Sequence, residues 1–103
     1  MSELVERWRL RCSEWLDKEQ AAQLLRETKN DVFAEIASKS DGSTNAERER
    51  NARISPQWIK HRNAMLEAEH EARKARMRMK YEEMQFEAWR TAQANDRRER
   101  ARY

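Results

Sequence analysis

Glycine and proline occur once each in the 103 residues of the chain, at Gly42 and Pro56, and both positions lie near its middle. Domains built from β-strands need such turn residues about every 8–12 positions, so a strand-rich fold is disfavoured. The segments on either side are rich in Ala, Glu, Arg, Lys, Gln, Leu and Met, which favour helix. The sequence therefore predicts an all-α protein in which two long helices flank one central break.

Apolar residues before the break recur in steps of three, four and seven. They are Val5, Trp8, Cys12, Trp15, Leu16, Ala22, Leu25, Val32, Phe33 and Ile36. This spacing places them on one face of a helix, which we predict over residues 3–38. The apolar face is thinnest around Glu19, Arg26 and Lys29, where charged residues replace it.

The central break carries three local signals. The Asp41–Gly42 dipeptide predicts a turn. Thr44 followed by Glu47 predicts a capping box at the start of a short helix. The Ser55–Pro56 dipeptide predicts the next helix start, with serine as the N-cap and proline in the first helical position. We therefore predict a loop and a short helix over residues 39–55.

Beyond the break, apolar side chains recur every seven residues, at Trp58, Met65, Ala72, Met79 and Phe86. A second set follows each of these by three residues and comprises His61, Ala68, Ala75, Glu82 and Trp89. Such a pattern is the a/d seam of a coiled coil. It predicts a long helix over residues 56–94, followed by a basic tail over residues 95–103.

The seams of the two long helices match when the helices are placed antiparallel across the break. Ala22 then lies near Ala72, and Trp8 lies near Phe86. We therefore predict a single helical-hairpin domain over residues 1–103. Because helices need a second layer to bury their apolar stripes, we expect the hairpin to dimerise into a helical bundle.

A second apolar stripe lies on the far side of the long helix. Met77, Tyr81, Met84 and Ala88 point in nearly the same direction and roughly opposite the seam. One hairpin cannot cover both faces of this helix. These four residues are therefore the predicted interface with a partner, most simply a second copy of the chain. The alternative is that they are scattered exposed residues of an ordinary surface.

Positive charge is concentrated in the second half of the chain. Residues 1–54 carry 10 basic and 11 acidic side chains, whereas residues 55–103 carry 12 and 8. The predicted contacts to a polyanion, either a nucleic acid or an acidic protein, are Arg73, Lys74, Arg76, Arg78, Lys80, Arg97, Arg98 and Arg100. The alternative is a solvated helix face, because glutamates on both sides of the cluster can pair with these cations.

Residue patterns of enzymes and metal sites are sparse. Glu67 and His70 have the i, i+3 spacing of a di-metal helix, but the seam predicts outward positions for both. His61 falls on the seam and is expected to be a hydrogen-bonded interface residue. We therefore expect no catalytic, cofactor or metal site. A single cysteine, Cys12, and the lack of an 18-residue apolar run predict a cytoplasmic protein that makes no membrane contact.

The segments NARISPQWIKHRNAMLEAEHEARKARMRMKY (51–81) and FEAWRTAQANDRRERARY (86–103) combine a long Arg-, Glu- and Ala-rich helix with Phe86, Trp89 and Arg90 before a basic tail. They make up about half of the chain. This combination resembles the small charged helical proteins encoded in early regions of phages and prophages. The resemblance implies a role in phage DNA recombination or replication, or in inhibition of a host nucleic-acid machine.

Taken with the two surfaces, these patterns predict a non-enzymatic, homodimeric helical adaptor whose basic helix surface engages a nucleic acid or a nucleic-acid-processing protein. The alternative is a purely structural assembly protein with no nucleic-acid role.

Overall fold

A computed structural model of the chain describes residues 2–102, which form three helices: α1 (Ser2–Lys39), α2 (Asn45–Arg53) and α3 (Pro56–Arg102). No strand occurs in this part of the chain. The predicted all-α class is confirmed. Met1 and Tyr103 lie outside the described residues. They are the two ends of the predicted domain, and Tyr103 is also the end of the predicted basic tail.

The helix boundaries agree with the prediction except at the end of α3. α1 is one residue longer at each end than the predicted helix. α3 does not stop at Ala94 but continues through the predicted basic tail to Arg102. The reason is local, since most of residues 94–102 are Ala, Arg or Glu, which are good helix formers. An ion pair between Arg100 and Asp96, spaced i, i+4 at 3.2 Å, supports the last turns.

The start of α2 has the predicted capping interactions. The Thr44 hydroxyl accepts a hydrogen bond from the Glu47 N–H at 3.2 Å. The Glu47 carboxylate reaches back and accepts from both the backbone N–H (2.9 Å) and the hydroxyl (3.1 Å) of Ser43. These hydrogen bonds hold the pKa of Glu47 below its ordinary value, those from Ser43 contributing most. The loop before α2 is therefore tied to the helix that follows it.

The side chains of α2 also hold the turn around Gly42. Arg48 donates to the Gly42 carbonyl at 3.2 Å, and Asn51 donates to the Asp41 carbonyl at 2.6 Å. These polar contacts explain why a nine-residue helix with almost no apolar face is ordered. Ala52 is its one buried residue.

α3 begins as the sequence predicts. Pro56 is its first residue, and the Ser55 hydroxyl accepts a hydrogen bond from the Trp58 N–H at 3.3 Å. The same hydroxyl donates to the Ala52 carbonyl at 2.6 Å, which joins the end of α2 to the start of α3. Ser55 thus caps the start of α3 and hydrogen-bonds to the end of α2.

The described chain packs as two units, each containing part of α1 and part of α3. Unit 2 is Lys18–Ala72, and unit 1 comprises the residues before and after it. In unit 2, Phe33 contacts the edge of Trp58 with ring centroids 4.9 Å apart. The Arg53 guanidinium lies over the Phe33 ring, with its central carbon 5.7 Å from the ring centroid.

Charged residues fill the part of unit 2 where the sequence shows a thin apolar face. The Arg26 guanidinium donates to the Glu19 carboxylate at 2.8 Å and lies 3.6 Å from the Glu69 carboxylate. The hydrogen bond to Glu19 is the main cause of the raised pKa of Arg26. Since Arg26 and Glu19 are more than 40% exposed, this cluster contributes little stability.

Candidate interaction surface

The face of α3 that carries Met77, Tyr81, Met84 and Ala88 is open to solvent. Met77 is 72% exposed, Tyr81 is 60% exposed and Met84 is 68% exposed, and Ala88 belongs to the exposed class as well. All four lie in unit 1. Opposite them on the same helix, Ala75 and Met79 are buried. We call these four residues the outer stripe.

The outer stripe and the first basic cluster share one surface. A single shallow groove is lined by Arg73, Arg76, Met77, Lys80, Tyr81 and Met84. Apolar and cationic side chains therefore alternate along about three turns of α3. Such a surface can bury methionine and tyrosine against an apolar partner while its cations contact acidic groups at the rim.

Several of the cations predicted to contact a polyanion already contact other side chains of unit 1. The shortest pair joins the Arg78 guanidinium to the Glu14 carboxylate of α1 at 2.6 Å. Arg76 lies over the Trp15 ring at 5.9 Å, and Arg7 lies 3.7 Å from Glu82. These contacts run in antiparallel order along the α1 and α3 segments of the unit.

Two further cations pair along α3 itself. Lys80 lies 3.5 Å from Glu83, and Arg100 lies 3.2 Å from Asp96. Lys74 is exposed and also interacts with another group of the chain. Pairs of this exposed kind are worth only about 0–1 kcal/mol each, so a partner with several acidic groups can displace them.

Three predicted cations have neither a carboxylate within ion-pair distance nor an aromatic ring beneath them in the described chain. They are Arg73, Arg97 and Arg98, and all three are exposed. Arg73 lies in the groove of the outer stripe, whereas Arg97 and Arg98 lie near the end of α3. The structure therefore divides the predicted polyanion residues into paired and unpaired sets, which the sequence could not separate.

A second groove lies in unit 1, and the sequence pattern did not predict it. Its lining consists of Val5, Trp8 and Phe86, with the carboxylates of Glu83 and Glu87 beside them. The seam pattern assigned the three apolar residues to a closed interface, but Trp8 is 37% exposed. The sequence did contain one indication of this groove. Glu83 and Glu87 are spaced around Phe86 so that their carboxylates lie next to the apolar face of α3.

The side chains that could bind a metal ion are not brought together in the described chain. Glu67 and His70 are both exposed. Within residues 2–102, no three His, Cys, Asp or Glu side chains come close enough to share a metal ion. Cys12 is half-buried and unpaired by any disulfide.

The fold and this surface define a highly charged, all-helical chain with one exposed face that is both apolar and basic. No helix of the described part is long and apolar enough to span a bilayer. Comparison of the chain with protein-family models, with curated proteins and with solved structures found no match.

Proposed function

We propose that this chain is a non-enzymatic, cytoplasmic interaction protein, a helical hairpin that dimerises through the outer stripe and uses its cations to engage a polyanion. The polyanion is a nucleic acid or an acidic surface of a nucleic-acid-processing protein. Antiparallel contacts within each unit support the hairpin, and the lone half-buried Cys12 fits a reducing compartment.

The observation that carries the proposal is the exposure of Met77, Tyr81 and Met84 side by side on one helix face. Full burial of a large apolar side chain contributes about 1.5–3 kcal/mol. A surface ion pair contributes about 0–1 kcal/mol. Association is therefore driven by the outer stripe, and the surrounding cations decide which partners or orientations are accepted.

Nucleic acid is the polyanion that the sequence resemblance favours. Residues 51–81 and 86–103 resemble phage early-region proteins, whose roles centre on DNA recombination, replication and host nucleic-acid machines. The exposed, unpaired Arg97 and Arg98 provide cations that can reach phosphates without breaking an internal pair.

Sedimentation equilibrium of Met84→Glu tests the dimer. A glutamate in the middle of the outer stripe should abolish self-association, because it would bury an unpaired charge. The matched control is Leu16→Glu, since Leu16 is similarly exposed, at 62%, but lies on α1. A Met84→Glu chain that stays dimeric, or a Leu16→Glu chain that also dissociates, would count against an interface at the outer stripe.

The second candidate is a structural assembly protein without a polyanion partner. It is favoured by the internal pairing of Arg78 with Glu14, Lys80 with Glu83 and Arg100 with Asp96. Gel shifts with single- and double-stranded DNA and RNA separate the two candidates. Binding that weakens steeply with salt supports the first candidate, whereas no binding at low salt leaves the structural role.

A further inference from the structure

One flank of the outer stripe is divided by charge. At about 100° per residue, five charged residues between positions 73 and 87 of α3 lie on the same side of Met77 and Met84. They are Arg73, Arg76, Lys80, Glu83 and Glu87. The first three are basic and the last two are acidic, so the sign changes near the middle of the stripe. We call these five residues the charged flank.

The two methionines of the stripe are also placed symmetrically about a point near this change of sign. Met77 and Met84 lie at equal distances along α3 from a point between Lys80 and Tyr81. If two copies of α3 run antiparallel and cross at that point, Met77 of one copy packs against the partner's Met84, and the reverse contact forms as well. The two methionines therefore match each other in this arrangement, and Tyr81 lies at the crossing point.

The charged flank matches itself in the same arrangement. A twofold axis that makes two helices antiparallel places the same flank of each copy side by side, with reversed direction. Arg73 then lies at the level of the partner's Glu87, and Arg76 lies near the partner's Glu83. A parallel pair would instead set the basic segments 73–80 of both copies beside each other, which is repulsive.

Resting on the proposed function, we infer that the partner of the outer stripe is a second copy of this chain, bound antiparallel through α3 with its crossing point between Lys80 and Tyr81. The order of charges along the charged flank fixes the orientation, and the two methionine contacts supply the apolar interface. Each copy buries the basic half of its flank against the acidic half of the other.

The surroundings of the two glutamates suit an arginine from the other copy. Glu83 and Glu87 are 45% and 55% exposed, and their present pairs with Lys80 and Arg90, both at 3.5 Å, are short-range pairs along one helix. Beside them lies the groove whose apolar lining includes Trp8. A guanidinium entering there gains both a carboxylate and an aromatic face.

The antiparallel dimer leaves the cations at the end of α3 for a polyanion. Arg73 and Arg76 are used between the copies, whereas Arg97 and Arg98 are not. At about 1.5 Å per residue, Arg97 and Arg98 lie roughly 25 Å along α3 from the crossing point. The dimer therefore presents two basic clusters on the order of 50 Å apart, one at each end.

Disulfide trapping tests the orientation. In a chain carrying Cys12→Ser, single Met77→Cys and Met84→Cys variants are mixed under mild oxidation, and the cross-linked products are identified by mass spectrometry. The expected product joins position 77 to position 84. Predominant 77–77 and 84–84 products show a parallel dimer and overturn the inference while the proposed dimer stands. No cross-link, together with monomeric sedimentation, overturns both.

Charge reversal tests the role of the charged flank, with circular dichroism confirming that every variant remains helical. Arg73→Glu/Arg76→Glu and Glu83→Lys/Glu87→Lys should each weaken self-association by about tenfold or more, because like charges then face each other. The chain with all four changes should dimerise like the original, as should an equimolar mixture of the two double variants. If the fourfold variant stays monomeric, or the double variants dimerise normally, the inference is overturned.

Discussion

Gly42 has a backbone φ of +147°, a region that side chains other than hydrogen adopt only with strain. A Cβ atom at this position would lie 2.9 Å from the Arg48 backbone nitrogen and 2.9 Å from the Glu47 Cβ. We therefore expect Gly42→Ala to lower the free energy of unfolding by about 1–3 kcal/mol. Urea denaturation followed by circular dichroism measures this, with Asp41→Ala as the control. Equal stability of the two variants would contradict the prediction.

His61 differs from its expected role as a hydrogen-bonded seam residue. Its ring stacks on Trp58 with centroids 5.7 Å apart, and its Nε2 is buried with no hydrogen-bond partner among residues 2–102. Because an unsatisfied buried polar atom costs free energy, we expect His61→Leu to raise the free energy of unfolding by about 1 kcal/mol. The exposed His70→Leu variant is the control and should change little. A loss of stability in His61→Leu would show that the stacking outweighs the unpaired nitrogen.

At the scale of one element, α2 depends on a carboxylate. The folded state lowers the pKa of Glu47 through hydrogen bonds from Ser43, so this carboxylate stabilises α2 fully above the unfolded pKa of about 4.3. The contribution is lost as pH falls through the lower folded pKa. We expect amide signals of residues 43–47 to shift with acid in an NMR titration and Glu47→Gln to remove that step. If the Glu49→Gln variant removed it instead, the assignment would be wrong.

The helix starts could be predicted from the sequence because their signals are local. The Thr44–Glu47 capping box and the Ser55–Pro56 start each need only a few neighbouring residues, and both occur as predicted. The end of α3 could not be placed, because no glycine or proline stops the helix and Asp96 supports it through Arg100. A helix can continue on charged residues beyond its last apolar residue, and periodic apolar patterns do not report that continuation.

At the scale of the whole molecule, spacing predicted which residues share the outer face of α3, and their exposure agrees with it. That this face is an interface stays a prediction. Spacing could not predict which cations are already paired. Arg78 and Glu14 are 64 positions apart, and neighbouring arginines and glutamates offer equally good partners along each helix. Only the packing of α1 against α3 in unit 1 chooses among them.

This difference between paired and unpaired cations gives a prediction for polyanion binding. Arg97 and Arg98 are exposed and have no ion-pair partner in the described part of the chain, whereas Arg78 is held by Glu14 at 2.6 Å. Each phosphate contact contributes about 0.7 to the slope of log K against log salt for single strands. Arg97→Gln/Arg98→Gln should therefore reduce that slope by about 1.4, measured by fluorescence anisotropy with labelled single-stranded DNA.

Arg78→Gln is the informative control for the same measurement. It also removes positive charge from α3, but it breaks a contact within unit 1 and leaves Glu14 paired with Arg11 alone. We expect it to lower thermal stability and to leave the salt dependence nearly unchanged. An equal loss of slope in Arg78→Gln would mean that the polyanion responds only to net charge, because a cation engaged by its own chain would then count as much as a free one. An unchanged slope in the Arg97→Gln/Arg98→Gln chain would instead move the contact to the groove of the outer stripe, where it would compete with the antiparallel dimer.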